Sequence, residues 1–203
     1  MERCPWAAGP LYIQYHDEEW GVPVTEDRKQ FEFLVLESAQ AGLSWITILK
    51  KRENYRAAYD NFDPEKTALY SREKIGELLN NPGIIRNKLK IEASVNNAAR
   101  FLEVQREFGS FSEYIWHFTG FKPLVNQWKD VKEIPAKSEL SEKISRDLTK
   151  RSFRFLGPVI IYSHLQATGI INDHLVSCFR YREITGGYKD LVFPLSSPLP
   201  ARQ

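Results

Sequence analysis

Apolar residues along this chain return at intervals of three and four, and no stretch sustains the two-residue alternation of a strand. Phe153 to Leu156 comes nearest to alternation and is too short to build a sheet. Thr25, Glu26 and Asp27 suit a helix start. Phe31, Leu34, Val35 and Ser38 keep the helical spacing, and Gly42 offers a stop. Ser44 is placed to cap a second helix running towards Tyr59. Asp63-Pro64 has the order of an N-cap followed by a first-turn proline, Ser71 opens another short helix, and Asn81-Pro82-Gly83 breaks the chain. The longest helical stripe runs from Ile85 to Glu107 through Ile91, Val95, Ala98 and Leu102. Ser112 is placed to cap a helix through Phe118. Leu124 to Lys137, flanked or interrupted by Pro123 and Pro135, is expected to be a loop. Leu140, Ile144 and Leu148 mark an amphipathic helix, Gly157-Pro158 opens an apolar one through Gln166, and Asp173 to Arg180 is expected to form the last. The class is therefore all-α, with about eight or nine short helices.

At 203 residues, 42% hydrophobic, the chain can bury a core without covalent staples. Residues 1–182 are expected to form one domain, and 183–203, with Gly186-Gly187 and three prolines among serines, an extended or partly disordered tail. Two cysteines cannot make a disulfide framework. Apolar runs such as Val159 to Tyr162 are too short for a bilayer, and no signal peptide opens the sequence, so a soluble cytoplasmic protein is expected. A net charge of +2 argues against wholesale phosphate binding, although a basic face balanced by an acidic one is compatible with DNA.

Cys4 and His16 lie near the N-terminus, while His174 and Cys178 are four apart and would share one face of a helix. Two thiolates and two imidazoles complete a closed tetrahedral zinc site. Spacing alone leaves open the alternative of two small buried cysteines and two ordinarily bonded histidines. His117 and His164 have no thiol neighbour in sequence and are expected to be core or surface histidines. Trp6, Tyr12, Tyr15 and Trp20 cluster near the start, followed by Glu37 and Trp45. By periodicity alone Glu37 is more often a solvated helix-surface glutamate. The sharper alternative is one carboxylate among aromatic rings, which suits a flat cationic ligand. Three basic groups, around Lys50 to Arg56, Arg86 to Lys90, and Lys150-Arg151 with Arg154, are weak singly and together could line a phosphate-binding surface.

The blocks Met1-Glu2-Arg3-Cys4, Pro10 to Asp17, Glu19-Trp20-Gly21, Gln40 to Thr47 and Asn172-Asp173-His174 resemble bacterial 3-methyladenine DNA glycosylase I, from the first residue to about Tyr181. The resemblance implies a helix-hairpin-helix DNA glycosylase fold, with one structural zinc on Cys4, His16, His174 and Cys178 joining the N-terminal segment to the last helix. It implies a base pocket of Glu37, Tyr15 and Trp45 with Trp6, Tyr12 and Trp20 nearby, Glu37 being the candidate catalytic carboxylate. It further implies a phosphate-holding hairpin around Gly157, one glycine short of the usual motif, with Lys150 and Arg151 beside it. Gly42-Leu43 would approach the gap left by an everted nucleotide, with Leu43 as plug.

The activity so implied is hydrolysis of the N-glycosidic bond of 3-methyladenine in double-stranded alkylated DNA by a monomer without lyase activity. Where related enzymes carry a catalytic aspartate, the register places Asn172. Asp173 beside it is the neighbouring alternative, and its other expected roles are to cap the final helix or to orient His174. That missing aspartate motivates an alternative, a non-catalytic module that binds damaged DNA.

Overall fold

Helices supply nearly all the regular structure of residues 1–40 and 42–193, which the computed structural model describes. In chain order they are α1 (Pro10–Glu18), α2 (Asp27–Gln40), α3 (Trp45–Ala58), α4 (Pro64–Ala68), α5 (Arg72–Asn80), α6 (Lys88–Phe108), α7 (Phe111–His117), α8 (Glu139–Lys150), α9 (Pro158–Ala167) and α10 (Phe179–Gly187). Among the described residues the exception to the helical pattern is one parallel pair. In it β1 (Leu124–Val125) lies beside β2 (Ile171–Asn172), with Leu124 opposite Ile171. The segment expected to be a loop therefore carries a short strand and a 3-10 turn at Val131–Glu133. No helix among the described residues is long and apolar enough to cross a membrane.

Helix α2 runs through the middle of the molecule. Its apolar residues Phe31, Phe33, Leu34, Val35 and Leu36 point in every direction, so no face can be left in water, and every residue from Gln30 to Ala39 is buried. Around it pack α3, α6, α7 and α9. The polar residues within the buried stretch each find a partner on another element or in the helix backbone. Gln30 donates to the Val24 carbonyl, Glu32 takes Arg52 and Arg56 of α3, Glu37 takes His164 of α9, and Ser38 donates back to the Val35 carbonyl.

Helix α1 is absent from the sequence-based assignment for a physical reason. Only Tyr15 and His16 of its nine residues are buried, so it has no continuous apolar stripe, and the packing of Leu11, Tyr12 and Tyr15 is supplemented by side-chain hydrogen bonds. One of these reaches α3. Ser44 stands at the α3 N-cap position, but its hydroxyl turns to Thr47, and the Ile46 N–H donates to the Tyr12 hydroxyl at 3.0 Å.

Three boundaries differ from expectation. Ser110, not Ser112, caps α7: its hydroxyl accepts the Glu113 N–H, and the helix starts at Phe111, which leaves Ser112 inside the first turn. Asp173 to Cys178 is a turn rather than a helix, with Cys178 at the N-cap of α10, so His174 and Cys178 converge through the turn and not through helical spacing. The expected tail begins inside α10, where Ile184 is buried. Past α10 a 3-10 turn spans Tyr188–Asp190, and the Phe193 ring lies 4.8 Å from Trp116. Pro198, Pro200 and the rest of the expected tail from residue 194 lie outside the described residues.

The Asp27 carboxylate shows how the helices lock together. It accepts the first two N–H groups of α7, from Phe111 and Ser112 at 2.8 Å each, and the Gln105 amide of α6 at 2.6 Å, while the Ser110 hydroxyl accepts the Glu113 N–H. One anion thus satisfies a helix start and complements its dipole. Asp27→Ala is expected to cost about 3 kcal/mol in urea unfolding, and Asp27→Asn about 1 kcal/mol, because one acceptor oxygen survives. A loss below about 0.5 kcal/mol for the alanine variant would contradict this assignment.

Candidate active site

Aromatic side chains from three parts of the chain enclose a cavity of about 660 Å³, with Trp6 and Trp20 on one side, Tyr12 and Tyr15 of α1 on another, and Trp45 of α3 on a third. Tyr12 and Tyr15 sit three apart and so share a face of α1. Trp6 meets Tyr12 edge-on at 5.7 Å and Trp20 at 5.0 Å, and the Tyr15 and Trp45 rings are 5.7 Å apart. Gln40, Ser163 and Gln166 add polar edges, and Val131 and Ile134 close the wall through a segment in which the sequence offered no signal.

Glu37 lines this cavity and is 2% exposed, which overturns the expectation of a solvated surface glutamate. Periodicity misplaced it because α2 has no solvent face. Its Oε2 lies 2.9 Å from His164 Nδ1, and its Oε1 is buried without a hydrogen-bond partner, as is the Trp45 indole N–H. Burial pushes the Glu37 carboxyl above its ordinary range, with His164 opposing that shift. Burial and then the Glu37 charge hold the Tyr15 phenol well above its own. A flat ring with hydrogen-bonding edges is the ligand such a box suits. The rings offer faces for stacking and Glu37 a free acceptor.

Cys4, His16, His174 and Cys178 converge beside the same wall, all buried, with their ligand atoms within 4.8 Å of one another. The Sγ atoms of Cys4 and Cys178 are each 3.6 Å from His174 Nδ1, and Cys178 Sγ is 3.4 Å from His16 Nε2. The other ring nitrogens are engaged outward. His174 Nε2 donates to the Trp20 carbonyl at 3.0 Å, and His16 Nδ1 meets Asp17, which Arg3 clamps through two nitrogens. Each imidazole thereby turns one nitrogen inward as a ligand. The hydrogen bond from Cys4, with those of His16 and His174, pulls the Cys178 thiol far below its ordinary range, while Cys4 is raised. This donor set can hold a metal ion. Gly21, at φ +81°, passes so close that a Cβ there would lie 3.0 Å from the His174 ring.

Of the residues expected to face DNA, Gly42 sits at φ +80° with open space around it, and Leu43 is 41% exposed. Its N–H donates to the carbonyl of the cavity residue Gln40. Lys150 and Gly157 are exposed at the connection between α8 and α9. Arg151 is committed inward, paired with Glu107 and Asp147 and lying over the Phe108 and Tyr114 rings. Arg52 and Arg56 are likewise spent on Glu19 and Glu32, and Lys90 donates to the Ala39 carbonyl.

Asp173 neither caps α10 nor touches His174. It accepts hydrogen bonds from Asn126, Trp128, Tyr162 and Gln166 at 2.6–2.7 Å, tying the Leu124–Lys137 segment to α9, while the Asn172 Oδ1 accepts the His174 N–H. The roles of His164, Gln30 and Asp173 were not legible in the sequence. For Gln30 the available signal was its distance of seven residues from Glu37, which puts both on one face of α2.

A family model described as methyladenine glycosylase matches residues 6–181. DNA-3-methyladenine glycosylase 1 of Escherichia coli K12 is 47% identical over 182 residues, covering 89% of this chain and 97% of that protein. A Haemophilus influenzae DNA-3-methyladenine glycosylase is 45% identical over 177 residues, covering 87% and 96%. The solved 3-methyladenine DNA glycosylase I of Staphylococcus aureus superposes with a TM-score of 0.85 at 38% identity, over 88% of this chain and 96% of that one.

Behind Tyr15, Arg52 joins Glu19 at 2.7 Å and Glu32 at 2.8 Å, with Lys29 on both carboxylates. Burial raises the Glu19 carboxyl, but Arg52 and Lys29 outweigh it and bring it from 4.5 down to about 2. A carboxyl whose pKa is depressed by folding contributes stability above its unfolded value and loses it as pH falls through the folded one. Glu19→Gln is therefore expected to be less stable by about 1–3 kcal/mol near neutral pH. The gap from the unaltered protein should shrink below about pH 4.5 and close near pH 2 in denaturant titrations. A gap independent of pH would show that the charge plays no part.

Proposed function

The chain belongs to the methyladenine glycosylase family, and on that footing we propose that it is a monofunctional DNA glycosylase that everts a damaged nucleotide and hydrolyses the N-glycosidic bond of 3-methyladenine in alkylated double-stranded DNA. The observation that carries this reading is the unpartnered Glu37 Oε1 in an aromatic cavity. Relatives of this chain recognise 3-methyladenine, one of them in complex with it.

Methylation at N3 puts a formal positive charge on adenine while it is still joined to deoxyribose, so the bond is already weakened and the base leaves neutral. No strong general acid is required, which fits a chain that carries asparagine rather than aspartate at position 172. What remains is to extract the nucleotide, to hold a flat cation, and to favour an oxocarbenium-like sugar while water attacks. Trp45 stacks on the base, Tyr15 bonds an edge, and Glu37 Oε1 accepts from the exocyclic amine. Trp6, Tyr12 and Trp20 complete the wall.

The α8–α9 connection serves as the hairpin of a helix-hairpin-helix motif. Asn97 of α6 braces it by donating to the Arg154 carbonyl and accepting the Arg154 N–H, and Asn96 donates to the Ser152 carbonyl. Gly157 then leaves the α9 N-terminus open to a phosphate, with Lys150 alongside. Leu43 fills the gap in the duplex. The protein acts as a monomer in the bacterial cytoplasm.

Zinc is the ion the metal site suits. Three of the six separations between the ligand atoms are 3.4–3.6 Å and all are within 4.8 Å, so Cys4, His16, His174 and Cys178 would hold a small ion that takes two thiolates and two imidazoles. With four protein ligands and no open position, the ion supplies structure, tying the first residues to the turn before α10. Elemental analysis is expected to find one zinc per chain. Cys178→Ser should lose it, and chelation should lower the unfolding temperature rather than selectively stop chemistry. Metal-free protein of unchanged stability would contradict the assignment.

Incubation with methylated DNA under single-turnover conditions should release free 3-methyladenine. Glu37→Gln keeps only a weaker acceptor, so excision should slow about 10–100-fold, equivalent to about 1.5–3 kcal/mol. Lesion binding without base release would identify a binding module instead, and unchanged excision by Glu37→Gln would remove Glu37 from its role.

A further inference from the structure

The carboxylate at the floor of the cavity is the end of a buried chain that reaches α2, α9 and the segment before α2. Gln30 donates its amide nitrogen to the Val24 carbonyl at 2.9 Å, which turns its Oε1 towards His164 Nε2 at 2.8 Å. A carbonyl can only accept, so the amide orientation is fixed and Nε2 of the imidazole must carry a proton. The other ring nitrogen, Nδ1, then faces Glu37 Oε2 at 2.9 Å. His164 is 0% exposed and Gln30 is 0% exposed, so no water competes for either end.

We propose that His164 and Gln30 are positioning residues for base recognition: Gln30 sets the imidazole so that Nδ1 and Glu37 Oε2 share one proton, and this holds Oε1 towards the cavity as the dedicated acceptor for the base. The proposal deepens the glycosylase reading and rests on it. Two constraints support it. A glutamate side chain with one oxygen free would rotate among several rotamers unless its other oxygen were held. A carboxylate buried with no partner costs several kcal/mol, whereas a carboxyl sharing a proton with an imidazole does not carry an isolated charge. The raised Glu37 carboxyl is consistent with that shared proton. The proton lies between Oε2 and Nδ1, so the oxygen presented to the base is the one it does not occupy. The arrangement also explains why a histidine sits in the apolar helix α9, where the sequence gives it no thiol or carboxylate neighbour.

The test uses the full chain with its metal. In the unliganded protein, nitrogen NMR of the histidine rings should show His164 with a protonated Nε2, and Glu37→Gln should move the Nδ1 signal. A ring protonated only at Nδ1 would overturn the proposal. His164→Ala should weaken binding of 3-methyladenine, followed by tryptophan fluorescence, about 10–100-fold and slow excision similarly, while binding of undamaged duplex DNA stays within about twofold. His164→Asn, whose amide nitrogen falls near the lost Nδ1 and donates to Oε2, should restore most of the loss. Equal binding of 3-methyladenine by His164→Ala and the unaltered protein would overturn the proposal, as would failure of the asparagine variant to improve on alanine. Should the alanine variant not fold, the ring tautomer and the asparagine variant decide. An unaltered protein that released no 3-methyladenine would instead count against the glycosylase reading.

Discussion

A helix buried on every side cannot leave a polar group to water, and α2 carries several within its buried stretch. Each must therefore be matched from another element or from the helix backbone, since an unmatched buried group costs about as much as a hydrogen bond contributes, or more. Those matches fix much of the rest of the molecule. Glu32 draws Arg52 and Arg56 inward and so sets α3 against α2. Asp27, at the start of α2, sets the entry of α7. Gln30 and Glu37 bind one imidazole of α9 between them. Glu37 keeps one oxygen without a partner and is one of the residues that line the cavity.

The metal cluster and the cavity share their walls, which makes the N-terminal segment part of the site. The Trp20 ring is 4.5 Å from His174 on one side and 5.0 Å from Trp6 on the other. Residues 1–9 have no regular secondary structure of their own. Their position depends on Arg3 at Asp17, the Phe179 N–H on the Glu2 carbonyl, and the ligand set that Cys4 completes.

Much of this was legible in the residue order, and where it was not the cause can be named. Helix α5, with an apolar stripe under Ser71, and α4, with Asp63-Pro64 at its start, stand where period and cap place them. Helix α1 lacks a continuous stripe and escaped notice. The four-residue spacing of His174 and Cys178 matches one turn of helix, whereas the chain from Asp173 to Cys178 is a turn. The four metal-cluster residues and the aromatic wall were legible through chemistry and resemblance, since thiols, imidazoles and indoles are scarce enough to stand out. His164, Gln30 and Asp173 were not, because a buried polar residue is recognisable only by the partner that tertiary packing brings to it. Arg151 shows the converse: a basic residue beside the hairpin looks like a phosphate contact until Glu107 and Asp147 are found on it.

The modest polar inventory of the pocket fits a substrate that is already activated. A cation–π contact contributes about 0.5–2 kcal/mol, and a hydrogen bond to a charged acceptor about 1.5–3 kcal/mol, so one Trp45 face and one Glu37 oxygen cannot by themselves separate a rare lesion from a genome of adenine. They need not. Undamaged adenine resists extraction from the stack and holds its glycosidic bond, so the discrimination of the pocket is multiplied by that of eversion and of bond lability. A stronger general acid in the same cavity would act on neutral adenine as well and erode that last factor. A carboxyl whose proton is shared inward with His164, leaving only an acceptor outward, supplies recognition of the cation without acid catalysis for the normal base.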